Sequence, residues 1–265
     1  MIKLIALDID GTVLKKDLTI SKELKSYIKK ITKKNIKVVL ATGRMYKAAI
    51  HIAKELGINT PLICYQGALI RNFYDNDDII YQINTDKSLG FKIINELREK
   101  SIHINLYDND NLYVEHDNQL IKEYCKDRYI DYKVVKNFED VECKNLHKIL
   151  AINYNQNIIE GLIKELNTKY GKELYIVKST PYFVEISNLE AKKCNAIKYL
   201  ADQWRINQNE IMAIGDQDND IDMIEYAKIG IAMGNGTEKI KEKADYVTKT
   251  IEEDGVIYAI EKFVK

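Results

Sequence analysis

The sequence predicts an α/β protein: an open parallel sheet with helices on both faces, built from the two ends of the chain, with an α+β region inserted between them. Three observations predict it. Apolar strands alternate with amphipathic helices from residue 1 to about residue 82. The same alternation returns from about residue 188 to residue 265. Between these stretches the apolar residues follow a two-residue period, that of an antiparallel strand rather than a helix.

The first strand, Leu4-Ile5-Ala6-Leu7, runs into Asp8-Ile9-Asp10-Gly11-Thr12. Side chains two residues apart on a strand point the same way, so a strand reading through Leu7 aims Asp8 and Asp10 toward one side of its C-terminal end. Open α/β sheets bind ligands at that end. Two carboxylates held there repel unless a cation or a shared proton relieves them. A hard cation beside a nucleophilic carboxylate is the equipment of phosphoryl transfer through an aspartyl-phosphate. The same residues also suit a plain Asp-rich turn, because Asp and Gly are ordinary turn residues.

A helix follows, with Ser21 placed to cap it and Leu24, Ile28 and Ile31 at helical spacing. The next strand, Ile36 to Leu40, ends in Ala41-Thr42-Gly43-Arg44. Strand, helix, strand implies a parallel pair with a right-handed crossover, so Thr42 lands beside Asp8. The Thr42 hydroxyl can donate to a phosphoryl oxygen, and the Gly43 N–H can approach closely because no Cβ intervenes. Thr42 equally suits a helix N-cap, and the two roles are compatible because helix N-termini attract anions. Gly57 fits a C-cap before the strand Leu62-Ile63-Cys64-Tyr65.

In the middle of the chain Ile102, Ile104 and Leu106 alternate with polar residues, as on a half-exposed antiparallel strand. Asp108-Asn109-Asp110-Asn111 reads as a turn into Leu112-Tyr113-Val114. Further strands are expected at Ile149 to Tyr154, Leu174 to Val177 and Tyr182 to Ile186, and helices around 86–99, 117–130 and 157–170. Many of the 18 tyrosines lie here, among them Tyr107, Tyr113, Tyr124 and Tyr154, as amphipathic sheet and surface residues.

After the inserted region, Lys193 precedes the helical pattern Ala196, Ile197, Leu200, Ala201. A lysine there opposes the helix dipole, yet it is also one of many lysines that a solvated surface would explain. Ile211-Met212-Ala213-Ile214-Gly215-Asp216 then repeats the strand-into-carboxylate form, with Asn219 and Asp220 three and four residues beyond Asp216. On a helix those positions share its face, an arrangement that holds a metal with one carboxylate and braces it with another. Asp216, Asp218 and Asp220 alternate as in an EF-hand, but Ile221 stands where that loop needs glycine and Ala227 where it needs a bidentate glutamate. Mg²⁺ suits a site with few protein ligands and room for water and phosphate oxygens. A strand through Ile229-Gly230-Ile231-Ala232-Met233 and a helix with Ile257, Ile260 and Phe263 close the pattern.

The four segments, in this order, resemble the haloacid dehalogenase (HAD) superfamily of phosphohydrolases, and within it the Cof-type branch (HAD-IIB) with a large α/β cap of the C2B type. Asp8-Ile9-Asp10-Gly11-Thr12 resembles its first motif, Thr42-Gly43-Arg44 its second, Lys193 its third, and Gly215-Asp216 through Asn219-Asp220 its fourth. Gln66-Gly67-Ala68, Ala232-Met233-Gly234-Asn235, Ala244-Asp245-Tyr246-Val247 and Asp254-Gly255-Val256 are smaller echoes. The chain departs from the pattern at Gln66, where the family more often has Asn, and at Cys194, where a glycine is usual.

The resemblance implies a Rossmann-like catalytic core from residues 1–82 and 188–265, with residues 83–187 as the α+β cap that selects the leaving group. It implies a Mg²⁺-dependent phosphatase of small phosphorylated metabolites, such as sugar phosphates or phosphorylated cofactors. Asp8 is then the nucleophile and Asp10 the general acid and base. The metal ligands are Asp8, the Asp10 main-chain carbonyl and Asp216; Thr42, Gly43, Lys193 and Asn219 bind the phosphate, and Asp220 braces Lys193 or the metal. A phosphosugar mutase and a non-catalytic phosphometabolite sensor are the alternatives on the same scaffold.

Composition narrows the partners. At 265 residues the chain makes one large or two moderate domains and buries roughly 70–75% of its unfolded surface. Lys plus Arg and Asp plus Glu are 40 each, a balance that points to neither a nucleic-acid nor an acidic-membrane partner. No run of ~18 apolar residues offers a membrane span, and Asp8 and Asp10 interrupt the N-terminal apolar run, unlike a signal peptide. Cys64, Cys125, Cys143 and Cys194 form no CxxC, so reduced cytoplasmic thiols are expected; a monomer or weak dimer is the expected state, with no residue pattern that fixes it. His51, His103, His116 and His147 are dispersed and read as packing or surface residues.

Overall fold

The computed structural model describes residues 1–264. They group into two compact units. The first gathers Met1–Arg44, Ala49–Tyr81 and the chain from Lys192 onward; the second gathers Gln82–Ala191 with the short segment Met45–Ala48. The expected breaks, after residues 82 and 187, fall one residue beyond and four residues before the observed ones.

In the first unit the described residues form a five-stranded sheet. Its order is Tyr246–Val247, Ile229–Ala232, Ile211–Gly215, Leu4–Leu7, Lys37–Leu40, and every pair is parallel. Leu4, Ile5, Ala6 and Leu7 are all fully buried, as a strand covered on both faces requires. The helix Lys22–Thr32 starts where Ser21 Oγ accepts the Leu24 N–H at 3.0 Å, and it buries Leu24, Ile28 and Ile31. The helix Lys193–Gln203 buries Ala196, Ile197, Leu200 and Ala201 in the same apolar cluster as Leu4, Ala6, Val39 and Ala213. Beyond Leu40 the chain bridges to Ile63, where a hairpin pairs Leu62–Cys64 with Leu69–Arg71. The hairpin's first strand is expected from the sequence, to Tyr65; its return strand Leu69–Arg71 and the two-residue edge strand at Tyr246 are absent from the expected elements of the sequence.

Parallel pairing brings three strand ends to one rim. Ile214 accepts from the Asp8 N–H at 3.0 Å and Leu7 from the Ala41 N–H at 2.9 Å. Asp8, Thr42 and Asp216 therefore emerge side by side from segments far apart in sequence.

The second unit holds a six-stranded sheet of order Leu174–Thr180, Phe183–Asn188, Leu146–Ile152, His103–Asp108, Asn111–Val114, Lys133–Val134. It is antiparallel apart from the last pair. Helices Lys87–Glu99, Gln119–Lys126 and Gln156–Tyr170 are each capped by a side-chain oxygen, from Asp86, Asn118 and Asn155. One face carries Ile104, Leu106, Ile149, Ala151, Val184 and Ile186 into a single apolar cluster with Ile93, Leu97 and Leu166.

Three expectations need correction here. The strand at Ile104 is not half-exposed, because Asn105 and Tyr107 on its other face are buried as well. Buried polar groups need partners, and the same face supplies an ion pair, Lys148 Nζ to Glu185 Oε2 at 2.9 Å. The strand expected from Ile149 to Tyr154 runs instead from Leu146 to Ile152, and the helix expected at 117–130 closes at Lys126. No helix among the described residues is long and apolar enough to cross a membrane.

Candidate active site

Lys193 ties the site together. It opens its helix with no exposed surface, and its Nζ donates to Asp8 Oδ1 and to Asp220 Oδ1, each at 2.5 Å. A bare lysine at that depth would carry a heavy desolvation cost, so the two carboxylates are what make it possible. Burial opposes its charge, but Asp220 and Asp8 outweigh burial and hold the ammonium well above the ordinary lysine range.

Asp220 is fully engaged. Its second oxygen accepts the Asp216 N–H at 2.9 Å and the Gln217 N–H at 3.1 Å. That clasp folds the loop after Ile211–Gly215 back on itself and fixes Asp216. The Asp216 carboxylate takes a hydrogen bond from Gln217 Nε2 at 2.9 Å and a long one from Thr12 Oγ1 at 3.5 Å. Gly11, at φ +79°, passes so close that a Cβ there would run into the Asp216 carboxylate.

Carboxylate oxygens of Asp8, Asp216 and Asp220 lie within 4.8 Å of one another, all three residues buried. Lys193 opposes them inside the cluster. Burial first, then Asp220, pushes the Asp8 carboxyl up to about 7 despite Lys193. Burial, then Asp8 and Asp220, raises Asp216 well above the carboxylate range. Hard oxygen donors with surplus negative charge, closed to bulk water, fit a hard divalent cation. Since Asp220 is spent on Lys193 and two backbone amides, Asp8 and Asp216 are the side chains placed to hold one.

Asp10 is placed differently from the strand-period expectation. The strand ends at Leu7, so the two-residue alternation no longer governs the chain at Asp10. Asp8 is 5% exposed, whereas the Asp10 side chain is 53% exposed and pairs with Arg44. Arg44 Nε donates to Asp10 Oδ2 at 2.8 Å and its second terminal nitrogen to Oδ1 at 2.6 Å.

Thr42 is buried, and its Oγ1 accepts the Arg44 N–H at 3.1 Å, which leaves the hydroxyl proton for another acceptor. Gly43 follows it at the same rim. Asn219 is buried, and its Nδ2 donates to Gln66 Oε1 at 3.1 Å. The structure thus joins Asp8, Lys193, Asp216 and Asp220 directly, links Asn219 to Gln66, and turns Asp10 toward Arg44. From the sequence, the resemblance puts Gln66 near the phosphate and leaves Arg44 between substrate, cap and helix end; the pairings Gln66–Asn219 and Arg44–Asp10 are not among the expectations.

A buried carboxylate, a buried ammonium and a cluster of acidic oxygens at the rim of a parallel sheet fit the phosphoryl-transfer class of hydrolase. The chain belongs to the haloacid dehalogenase-like hydrolases, whose family model matches residues 5–260. The "Putative phosphatase YxeH" of Bacillus subtilis (strain 168) is 31% identical over 278 residues, covering 100% of this chain and 99% of its own. From the same organism, "5-amino-6-(5-phospho-D-ribitylamino)uracil phosphatase YcsE" is 31% identical over 263 residues, covering 99% and 96%. A haloacid dehalogenase-like hydrolase from B. subtilis has a solved structure with TM-score 0.89 and 27% identity, covering 100% of both chains. The HAD subclass IIB sugar phosphatase BT4131 superposes with TM-score 0.87 at 26% identity, covering 98% of both. Family and relatives together place the chain among phosphoric monoester hydrolases, with the mixed α/β fold of the subclass that carries a cap.

Proposed function

We propose that the protein is a Mg²⁺-dependent phosphatase of small phosphorylated metabolites, sugar phosphates or phosphorylated cofactors, working through an aspartyl-phosphate. The carrying observation is the buried Lys193 ammonium shared between Asp8 and Asp220 with Asp216 alongside. Neighbours in fold and sequence act on such compounds: one is a sugar phosphatase and another takes a ribitylamino-uracil phosphate.

In this reading an Asp8 oxygen attacks phosphorus in line and the leaving alcohol departs. Lys193 bonds one oxygen of Asp8 at 2.5 Å, which fixes the carboxylate's rotation and leaves its other oxygen to attack. Thr42, the Gly43 N–H, Lys193 and Asn219 bind the phosphoryl oxygens. Asp10 protonates the leaving oxygen and later takes a proton from the water that cleaves the acyl phosphate. Arg44 takes one acceptor position on each of its oxygens, which fixes the carboxylate's plane and leaves the remaining lone pairs to carry the proton. A divalent cation held by Asp8, Asp216 and the Asp10 main-chain carbonyl would supply neutralisation of the transferring charge. Asp220 orients Lys193 and the Asp216 loop.

We assign residues 1–82 and 188–265 to the catalytic core and 83–187 to the cap that sets substrate choice, in a cytoplasmic monomer or weak dimer. A phosphate-release screen over a metabolite panel, with and without Mg²⁺, tests the proposal. Release that needs both Mg²⁺ and Asp8 supports it; isomerised product without free phosphate, or saturable binding without turnover, overturns it.

A further inference from the structure

The turn Tyr65-Gln66-Gly67 is strained at its first two residues. Its φ angles are +51°, +59° and +107°, and only the last residue is glycine. Such a turn persists only where its surroundings over-determine it, and outliers of this kind gather at functional sites.

Three pieces of the site hold it. The Tyr65 N–H donates to the Arg44 carbonyl and the Gln66 N–H to the Thr42 carbonyl, both at 3.0 Å. Gly67 lies so close to the Lys192 carbonyl that any Cβ would collide with it. The Gln66 side chain, with no exposed surface, reaches Asn219. The turn therefore touches the segment carrying Thr42, the residue before Lys193, and Asn219.

Its polar groups are not balanced. Gln66 Nε2 and Asn219 Oδ1 are both buried, and neither has a hydrogen-bond partner. Turning both carboxamides over exchanges which residue carries the unused NH₂, but one NH₂ and one carbonyl remain in either arrangement. Buried amides are normally satisfied, so an unspent donor beside Thr42 and Asn219 calls for a ligand acceptor.

We propose that Gln66 and Asn219 act as one phosphoryl-binding pair: the Gln66 carboxamide pairs with Asn219, and the pair presents one buried NH₂ to an oxygen of the transferring phosphoryl group. This deepens the phosphatase reading and rests on it. The chemistry recognised is a tetrahedral oxyanion.

The test uses inorganic phosphate as the probe, with the full-length protein in Mg²⁺. Titration calorimetry reads affinity, thermal melts read stability, and steady-state kinetics with an aryl phosphate read KM and kcat. Gln66→Met keeps the length and removes the donor. Gln66→Glu keeps an acceptor for Asn219 and replaces the donor with a charge that repels phosphate. The expected result is a roughly 10- to 100-fold weaker phosphate affinity for Gln66→Met, with a similar rise in KM and an unchanged melting temperature. Gln66→Glu loses more, and Gln66→Asn, which keeps the donor, recovers part of the loss.

Wild-type affinity in either variant overturns the proposal. So does a loss of affinity matched by a fall in melting temperature of the same rank order, the signature of a structural role. The two readings fail separately. A wild-type protein that binds phosphate but hydrolyses nothing sinks the phosphatase reading, while variants that turn over like wild type sink the role of Gln66.

Discussion

Arg44 grips both carboxylate oxygens of Asp10, Nε to Oδ2 at 2.8 Å and a terminal nitrogen to Oδ1 at 2.6 Å. The guanidinium is buried while its partner is half open to solvent. A fork of two parallel hydrogen bonds fixes the plane of a carboxylate as well as its position, which a lysine cannot do. Arg44→Lys is expected to leave binding of the phosphoryl group nearly unchanged and to lower kcat on alkyl phosphates by about tenfold, through loss of positioning of the acid. Activated aryl phosphates, whose leaving groups need little protonation, lose less. Equal losses on the two substrate types count against Arg44 as the residue that positions Asp10. The companion variant Asp10→Asn has the same asymmetry and a larger effect, on the order of 10²- to 10⁴-fold on alkyl substrates.

Gly11→Ala tests the packing beneath the acidic cluster. The new Cβ meets the Asp216 carboxylate, and the backbone stays at φ +79°. The left-handed conformation alone costs about 1–2 kcal/mol for a residue with a side chain. Displacement of Asp216 is expected to weaken Mg²⁺ affinity more than tenfold, read by calorimetry. Unchanged affinity means that Asp216 does not hold the ion.

Cation removal has a predictable sign. Asp8 and Asp216 are both raised by burial and by neighbouring carboxylates, so the unloaded cluster is self-repelling. Saturating Mg²⁺ at about a hundred times its dissociation constant adds about 2.7 kcal/mol of stability. Asp216→Asn is expected to abolish that increment and, in EDTA, to melt above the wild type because one buried charge is gone. Thermal melts with and without EDTA decide the point; a variant that melts lower in EDTA contradicts it.

His147 sets a pH limit on the second unit. It is 3% exposed, and burial pushes its imidazole down to about 4 from 6.5. The fold therefore keeps it neutral, and the unfolded chain takes up a proton that the fold refuses. Above pH 6.5 this group adds no pH slope; as pH falls from 6.5 toward 4, stability drops by up to about 3 kcal/mol. Urea melts of His147→Gln at pH 7 and pH 5 should show a smaller difference than wild type. An equal difference assigns the acid sensitivity to other groups.

Three of the four candidate segments are legible because they obey simple periods. Leu4–Leu7, Lys37–Leu40 and Ile211–Gly215 are short parallel strands, and parallel strands deliver their ends to one rim whatever the separation in sequence. Lys193 was legible only as a member of that ordered set; its burial and its two carboxylate partners depend on tertiary packing. Asp10 lies beyond the strand, which ends at Leu7, so a salt bridge to Arg44 rather than the pleat holds its carboxylate, still near enough to raise Asp8. The Tyr65-Gln66 turn was hidden because neither residue signals a positive φ, and only Gly67 does. In the second unit the strand at Leu146 began earlier than its apolar run, since His147 and Lys148 are polar yet buried.

The most direct measurement is to quench the enzyme during turnover and reduce the acyl phosphate with borohydride, which converts a phosphorylated aspartate to homoserine. Peptide mass spectrometry should then find homoserine at residue 8 in the wild type and none in Asp8→Asn, which should also be folded and inactive. Full Mg²⁺-dependent phosphate release by Asp8→Asn, or label at another carboxylate, contradicts the account.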